Sequence, residues 1–334
     1  MRRLSLIVFL FLLLLTGCDQ QSFTPIPKRM ETLISINIKD GSATFFDLER
    51  EKKYAQWNLQ KPIRGGALLN NGQTLLLYGN DLDQAYEYDL ATGKLKKEWQ
   101  VGEGIVGALV SNDMHHIFLA DQKQKEIRIF RTDGKEIGAV KVGSAPLTLL
   151  QNSDGTRLYV IDFHDAKTDI IDVPKRKVIH MFFVPKSSLG GLLREQQQEI
   201  WIGGHGSGSA METSIHVYSL PDGKLAKTVP APDMPIGFTE TNEGIFALSH
   251  GSNMVRKWNN RGKEEAALVV GANPFTIVGT NRHLYVASYD SDEIDVIDGR
   301  TMRVVHRYKA GKGPFQLMIR GGDKHGANYN SCCR

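Results

Sequence analysis

Short apolar runs separated by polar turns repeat along this chain, and residues 280–319 show the unit most clearly. An apolar run at residues 284–287 ends in a polar turn, and residues 294–299 then alternate between apolar and polar side chains. A third run covers residues 303–308, and the loop 311–314 leads to a fourth run at residues 315–319. Runs of this length, bounded by Gly, Pro, Asp and Ser, are typical of β-strands. The unit therefore predicts a small antiparallel sheet of four strands.

The same unit recurs about every 42 residues along the chain. With Leu284 as the anchor of its apolar run, the equivalent anchors lie 39 to 45 residues apart. These anchors are Leu33, Leu75, Ile117, Leu158, Ile200 and Ile245. Repeats of this length with four strands each are typical of β-propellers. Seven units therefore predict an all-β, seven-bladed β-propeller of four-stranded antiparallel blades.

The two ends of the repeat array predict how the ring closes. The first unit has strand patterns at residues 33–38, 43–48 and 54–59, but no strand pattern precedes them. At the other end, residues 315–319 form a fourth strand with no unit after it. Pairing this last strand with the first blade would complete the blade and remove both exposed sheet edges. A solenoid is the structural alternative, but it requires capping repeats, and neither end has the pattern of a cap.

Several repeats resemble a known class of propeller repeat. The tripeptides at residues 158–160 and 284–286 read Leu-Tyr-Val, and Gly-x-x-Pro loops recur at residues 143–146, 271–274 and 311–314. Over roughly residues 31–320 the chain resembles the YVTN type of propeller repeat. Blade 5 departs from this pattern because residues 203–211 lengthen a turn, which we interpret as a flexible insertion. The WD-repeat family fits poorly, since no Trp-Asp dipeptide closes a strand.

The N-terminus has the features of an export signal. Arg2 and Arg3 precede a run of 12 mostly apolar residues, 4–15. As a helix this run would extend ~18 Å, short of the ~30 Å hydrocarbon layer of a bilayer. The sequence Leu-Thr-Gly-Cys that ends at Cys18 resembles the bacterial lipobox, whose cysteine is acylated and becomes the mature N-terminus. This resemblance implies a lipoprotein anchored at the cell membrane through Cys18 and facing the extracytoplasmic side. An ordinary signal peptide with a chance cysteine is the alternative.

These patterns divide the chain into four segments. Residues 1–17 are predicted to be the lipoprotein signal peptide, 18–30 a tether, 31–320 the propeller and 321–334 a flexible tail. The cysteines are Cys18, Cys332 and Cys333, so neither a disulfide framework nor a thiolate metal site is available to the propeller. Without Arg2 and Arg3 the chain has 39 basic and 37 acidic residues, a balance that predicts no nucleic-acid binding. We expect a monomer.

Candidate chemistry lies on the face of the propeller where the loops between the two middle strands of each blade emerge, here called the top face. His164, His205 and His250 stand at nearly the same register on successive blades, and Tyr289 has the equivalent place on the seventh. Imidazoles can bind zinc, copper or iron, or act as general bases. The alternative is that polar residues are common in such turns and that the blades hold them apart. We expect these side chains to be spread over a binding surface, and we predict no cofactor.

Two functional hypotheses follow from the sequence. The first is a non-catalytic binding or scaffolding protein that holds an unknown protein or small molecule with its top-face loops. The alternative is an extracytoplasmic lactonase, lyase or metal-dependent enzyme with its site at the channel mouth. The fold does not decide between them, since lactonases and lyases exist on similar propellers. The sequence contains no Gly-x-Ser-x-Gly, His-Glu-x-x-His or Cys-x-x-Cys-His motif, and the binding hypothesis is preferred.

Overall fold

Residues 22–208 and 210–321 are described by the computed structural model, and their architecture is all-β. Seven antiparallel sheets of four strands each make up this part of the chain, with one additional two-stranded sheet. Within these ranges, helix is limited to two 3-10 turns, Glu195–Gln197 and His250–Ser252. The predicted fold of seven four-stranded blades is confirmed. No helix in the described ranges has the length and apolar character needed to cross a membrane.

Each blade consists of four strands in order from the propeller axis outward, and blade 1 takes its innermost strand from the end of the chain. The strands of blades 1 to 4 are β1 (Thr32–Asn37), β2 (Ser42–Asp47), β3 (Lys52–Asn58), β4 (Gly65–Leu69), β5 (Thr74–Tyr78), β6 (Gln84–Asp89), β7 (Lys94–Gln100), β8 (Ile105–Val110), β9 (His116–Asp121), β10 (Glu126–Arg131), β11 (Glu136–Lys141), β12 (Pro146–Gln151), β13 (Arg157–Asp162), β14 (Lys167–Asp172) and β15 (Lys177–Phe183). Those of blades 5 to 7 are β16 (Ser188–Arg194), β17 (Glu199–Gly204), β20 (Ser214–Ser219), β21 (Leu225–Pro230), β22 (Pro235–Thr241), β23 (Gly244–Ser249), β24 (Met254–Trp258), β25 (Glu264–Val269), β26 (Pro274–Gly279), β27 (His283–Ser288), β28 (Glu293–Asp298) and β29 (Arg303–Lys309), while β18 (Gly206–Ser207) and β19 (Ala210–Met211) form the separate two-stranded sheet. The last strand, β30 (Pro314–Arg320), completes blade 1.

The innermost strands of the seven blades meet in a closed circle around the propeller axis. From β4 to β26 each inner strand contacts the inner strand of the next blade, and β30 contacts both β26 and β4. β30 also pairs antiparallel with β1, from Thr32 opposite Arg320 to Asn37 opposite Pro314. The predicted closure by the C-terminal strand is therefore confirmed, and the inner edge of β1 is covered.

Hydrophobic clusters fill the spaces between neighbouring blades. Between blades 2 and 3, for example, the rings of Trp99 and Phe130 stack with their centroids 5.9 Å apart, and each side chain is about 1% exposed. Because a blade is covered on both faces, a middle strand such as β5 is buried along its whole length. A blade on its own would expose both of these faces, so the blades stabilise one another through their shared interfaces.

Residues 22–31 lie along blades 1 and 2 as a strap. The backbone N–H groups of Phe23 and Ile26 donate to carbonyl oxygens of the turn between β6 and β7 at 2.9 and 2.7 Å. The Phe23 ring stacks on Trp57 with centroids 5.1 Å apart, and Ile26 is fully buried. The part of the predicted tether from residue 22 onward is thus packed against the propeller. Residues 1–21, with the predicted signal peptide and Cys18, and residues 322–334 of the predicted tail lie outside the described ranges.

The glycine-rich segment of blade 5, which the sequence suggested to be a flexible insertion, forms a hairpin. Its two short strands, β18 and β19, pair with Gly206 opposite Met211. The hairpin rises from the top face between β17 and β20, and its Met211 side chain is half exposed, at 52%. The lengthened turn therefore adds a small sheet beside the predicted histidine surface.

A β-bulge marks the second residue of six of the inner strands. In each case this residue is apolar and has no partner on the next strand outward. We call these residues the apolar collar: Val106, Leu147, Leu189, Ile236, Phe275 and Phe315. A bulge bends its strand and re-aims the side chain. The collar residues of blades 4 to 7 accordingly belong to one hydrophobic cluster, although they come from four different blades.

The residue after each bulge controls how closely neighbouring inner strands approach. The Thr276 hydroxyl donates to the Phe315 carbonyl oxygen at 2.6 Å, and the Thr148 hydroxyl donates to the Leu189 carbonyl oxygen. In blade 5 the same position is Gly190, where a Cβ atom would overlap the Ile236 carbonyl oxygen. Blades 5 and 6 therefore approach so closely that a side chain does not fit between them.

We expect Gly190→Ala to lower the free energy of unfolding by about 3 kcal/mol, the upper part of the range for overpacking. The added methyl group would meet backbone atoms, and these can move only if two blades separate. Gly191→Ala is the matched control, because its Cβ would meet the methyl ends of Ile161 and Leu150, which can rotate. About 1 kcal/mol is expected there. Urea unfolding measures both losses, and equal losses would contradict the close approach at Gly190.

Candidate functional site

Four side chains leave the ends of the second strands and lie above the apolar collar on the top face. Phe163 directly follows β13, His205 follows β17, His250 follows β23, and Tyr289 follows β27. The same position on four successive blades is therefore occupied by an aromatic or imidazole ring. The sequence comparison had placed His164 in this set for blade 4, but the equivalent residue is its neighbour Phe163.

Together with two collar residues, these rings form a continuous row around part of the axis. The centroid of His205 lies 6.1 Å from that of Phe163 and 5.4 Å from that of His250. The row continues from His250 to Phe275 at 4.7 Å and from Phe275 to Phe315 at 5.0 Å. Tyr289 packs edge-on against Phe275, with a centroid distance of 5.6 Å. We call this set the aromatic rim: Phe163, His205, His250, Phe275, Tyr289 and Phe315.

The predicted histidines are only partly spread apart. The expectation of separation is wrong for His205 and His250, whose rings are in contact because each directly follows the second strand of one of two neighbouring blades. His164 is exposed, and the ring contact found for it is with its neighbour Phe163 at 5.4 Å. Tyr289 joins the rim through its edge-on contact with Phe275. In residues 22–208 and 210–321, no group of three or more His, Cys, Asp or Glu side chains is placed to hold a metal ion.

His205 offers an unused nitrogen to the rim. Its Nε2 atom is buried and has no hydrogen-bond partner among the described residues. Burial, and secondarily the nearby His250, hold the pKa of His205 below its usual value. A lowered pKa favours the uncharged imidazole, which can donate through one ring nitrogen and accept through the other. A buried polar atom without a protein partner marks a place where a water molecule or a ligand atom can complete the hydrogen bonding.

The tautomer of His250 follows from its single described side-chain hydrogen bond. Its Nδ1 atom lies 3.0 Å from the carbonyl oxygen of Pro274. Because a carbonyl oxygen only accepts, Nδ1 carries the proton in this contact. The Nε2 atom of the uncharged ring is then left as an acceptor. His205 and His250 therefore bring polar capacity to a rim that is otherwise built mostly from phenylalanine.

Two cations lie against the blade 7 and blade 1 end of the rim. The Lys39 ammonium nitrogen is 4.1 Å from the Tyr289 ring centroid and forms an ion pair with Asp290 at 2.8 Å. The guanidinium carbon of Arg64 lies 4.6 Å from the Phe315 ring centroid. Cations over aromatic faces are attracted by the ring quadrupole. The rim thus has phenylalanine and imidazole rings along most of its length and a guanidinium group at one end.

Phe163, Phe275, Phe315 and Arg64 were not identified as site residues from the sequence. A signal for two of them was present, since Phe275 and Phe315 each follow the proline of a Gly-x-x-Pro loop. The bulge that turns these phenylalanines out of the alternating pattern is not visible in residue spacing. Arg64 carries no such signal, because it lies in a turn without a recurring motif.

A cavity opens on the opposite face, at the far ends of the inner strands of blades 4 to 7. It has a volume of about 670 Å³ and is lined mainly by amide, hydroxyl and carboxylate side chains. Its wall contains the fully buried Arg194, whose guanidinium donates to both carboxylate oxygens of Glu240 at 2.9 to 3.1 Å. Arg194 also donates to Asn260 at 3.1 Å. These bonds tie the inner strands of blades 5 and 6 together and make the wall rigid.

Comparison with known proteins shows the fold. No family model and no curated protein matches the chain. Among solved structures, the chain is similar to hydrazine synthase from Kuenenia stuttgartiensis, with 16% identity and a TM-score of 0.70 over 84% of this chain and 99% of that one.

Two further solved structures are also similar to this chain in fold, again at low sequence identity. AztD from Citrobacter koseri, in its apo form, has 11% identity and a TM-score of 0.61 over 90% of this chain and 99% of that one. The dihydro-heme d1 dehydrogenase NirN in complex with DHE has 14% identity and a TM-score of 0.64 over 94% of this chain and 73% of that one. Identities this low show that the propeller architecture is shared and nothing finer.

Proposed function

We propose that this chain is a non-catalytic binding protein whose aromatic rim holds a ligand with an apolar ring system. The observation that carries the proposal is the rim itself: six ring side chains from five blades, all half-buried and in sequential contact. Aromatic side chains bury large areas and prefer offset or edge-on contacts with other rings. A converging set that remains partly exposed therefore favours a ring-bearing partner.

The collar below the rim supports the same proposal. Binding pockets are commonly apolar, with a few polar groups that fix the orientation of the ligand. Here the collar supplies the apolar floor, while His205 supplies a buried, unpartnered Nε2 atom. The structure of NirN, which this chain resembles in fold, is a complex with DHE, and this likeness supports ligand binding.

We further propose that the protein is a lipoprotein of YVTN-repeat type, attached to the cell membrane through acylated Cys18 and facing the extracytoplasmic side. The export-type N-terminus and the lipobox-like sequence before Cys18 support this location. The body of the propeller lacks cysteine, which is compatible with the oxidising environment outside the cytoplasm as well as with a reducing one. Its ligand would then be a small molecule or protein met outside the cytoplasm.

An enzyme at the rim is the second candidate, and one observation favours it. Burial lowers the pKa of His205 and so favours the uncharged imidazole, which is the form that a general base or a metal ligand requires. A lactonase, a lyase or a metal-dependent reaction could use such a group. The two candidates differ in what they require of residue 205: a base must be an imidazole, whereas a ring contact is kept by phenylalanine.

We expect the uncharged aromatic fluorophore N-phenyl-1-naphthylamine to bind a protein of residues 22–321. The double variant Phe275→Ala, Phe315→Ala should bind it at least about 10-fold more weakly. This segment contains every strand of the closed ring. Fluorescence titration measures the affinity, and thermal unfolding shows whether each variant is folded. His205→Phe keeps a ring at this position and loses only the imidazole nitrogens, so it should weaken binding far less than the double variant. Failure of the parent to bind, or equal binding by the double variant, would contradict the proposal. Hydrolysis of a lactone by the parent that is lost in His205→Phe would instead favour the enzymatic alternative.

A further inference from the structure

Arg64 immediately precedes β4, the one inner strand at which the collar is interrupted. Blade 2 has no bulge at the start of its inner strand, where Gly65 pairs regularly with Tyr78 and Gly66 with Leu77. The Gln316 side chain from blade 1 binds both backbone groups of Gly66, at 2.7 and 3.0 Å. The collar therefore has no apolar side chain from this strand. The residue immediately before it, Arg64, places its guanidinium over the ring of Phe315 instead.

The Arg64 guanidinium has no acceptor in the described part of the protein. Five arginines in the described ranges are buried or half-buried: Arg64, Arg128, Arg194, Arg256 and Arg320. Four of them donate to a carboxylate or a carbonyl oxygen of the protein. Arg64 alone among the five makes no such hydrogen bond, and its described side-chain interaction is the one with Phe315. A partly desolvated guanidinium without an acceptor is poised to bind an anion.

The rest of the rim offers little competing charge. Lys39 is paired with Asp290, and burial holds the pKa of His205 below its usual value. The acidic group of a ligand lying against Phe275 and Phe315 would therefore lie close to the Arg64 guanidinium, at the blade 2 end. A planar guanidinium can form two parallel hydrogen bonds to a carboxylate or sulfonate, and its position over an aromatic ring limits its motion.

We infer that the ligand of the aromatic rim is an organic anion, a flat apolar ring system that carries an acidic group, and that Arg64 binds this group. The inference rests on the proposed function, because it names the chemical class of ligand for the same site. The ring system would pack on Phe315, Phe275 and His250, and the acid would lie towards blade 2. His205 Nε2 would remain free to bind a second polar group on the ring.

Two probes that share one carbon skeleton test this inference. 8-Anilinonaphthalene-1-sulfonate carries a sulfonate, and N-phenyl-1-naphthylamine is the same ring system without it. Residues 22–321 should bind the sulfonate more tightly than the uncharged probe. Arg64→Met should weaken sulfonate binding by about 10- to 100-fold, the loss expected for a charge-assisted hydrogen-bond pair. Binding of the uncharged probe should change less than about 3-fold, because methionine preserves an apolar contact with Phe315.

Three comparisons make the outcomes decisive. Arg282→Met removes an exposed arginine from a turn on the opposite face and should leave both affinities unchanged. Arg64→Lys should retain part of the sulfonate affinity, since lysine keeps the charge but not the bidentate geometry. Equal losses of the two probes in Arg64→Met, or equal effects of Arg64→Met and Arg282→Met, would overturn the inference and leave the binding proposal standing. Failure of both probes to bind the parent protein would instead overturn the proposed function and this inference together.

Discussion

Deletion of residues 313–334 is expected to abolish cooperative unfolding. This truncation removes β30, so β1 loses its inner partner and the circle of inner strands opens between β26 and β4. It also removes Gln316, which binds both backbone groups of Gly66, and Arg320, which donates to the Pro27 and Met30 carbonyl oxygens of the strap. The exposed edge of β1 would be free to pair with other chains. Urea unfolding followed by circular dichroism, together with size-exclusion chromatography, measures the loss of the transition and the aggregation that should accompany it.

Deletion of residues 322–334 alone is the control for this experiment. These residues follow the last strand and carry no strand pattern in the sequence. The shortened protein should keep the unfolding midpoint and slope of the parent. Identical behaviour of the two truncations, whether both fold or both aggregate, would contradict closure of the ring by β30.

Replacement of Cys18 by alanine is expected to release the protein from the membrane fraction. If Cys18 is acylated, it carries two acyl chains, which is enough for stable attachment to a bilayer, whereas a single chain is marginal. Cys18→Ala should therefore move the protein from an almost complete association with membranes to the medium, or leave it unprocessed. Fractionation followed by immunoblotting measures the distribution, and the apparent mass shows whether the signal peptide has been removed.

The chain provides a matched control for the anchoring experiment in its other two cysteines. Replacing Cys332 and Cys333 with serine removes every other thiol in the sequence without touching the lipobox-like segment. That double variant should remain with the membranes. A Cys18→Ala protein that is processed and fractionates like the parent would show that this cysteine is not the anchor.

The blade count and the ring closure were predictable from the sequence because they depend on a local pattern that is repeated seven times. Apolar runs such as that of β27 recur with nearly constant spacing, and the unpaired run at the C-terminus has one possible partner at the start. The strap was not predictable in the same way. Its contacts come from single residues, Phe23 and Ile26, which fill gaps on blades 1 and 2 without any periodic pattern.

The candidate site was predictable only in part, and the bulges explain why. Register along the second strands identified His205, His250 and Tyr289, since these loop positions are equivalent by repetition. The collar residues Phe275 and Phe315 belong to the next strand inward, and an extra residue in that strand changes which way they face. Counting residues cannot reveal such a change. Arg64 was missed for a related reason, because its role depends on the absence of a bulge in blade 2.

The central claim, that the aromatic rim is a binding site for a ring-bearing organic anion, is tested most directly by a crystal structure with 8-anilinonaphthalene-1-sulfonate bound. The account predicts naphthalene density against Phe275, Phe315 and His250, with the sulfonate within hydrogen-bonding distance of the Arg64 guanidinium. Probe density in the cavity beside Arg194 on the opposite face, with the rim unchanged and empty, would contradict it.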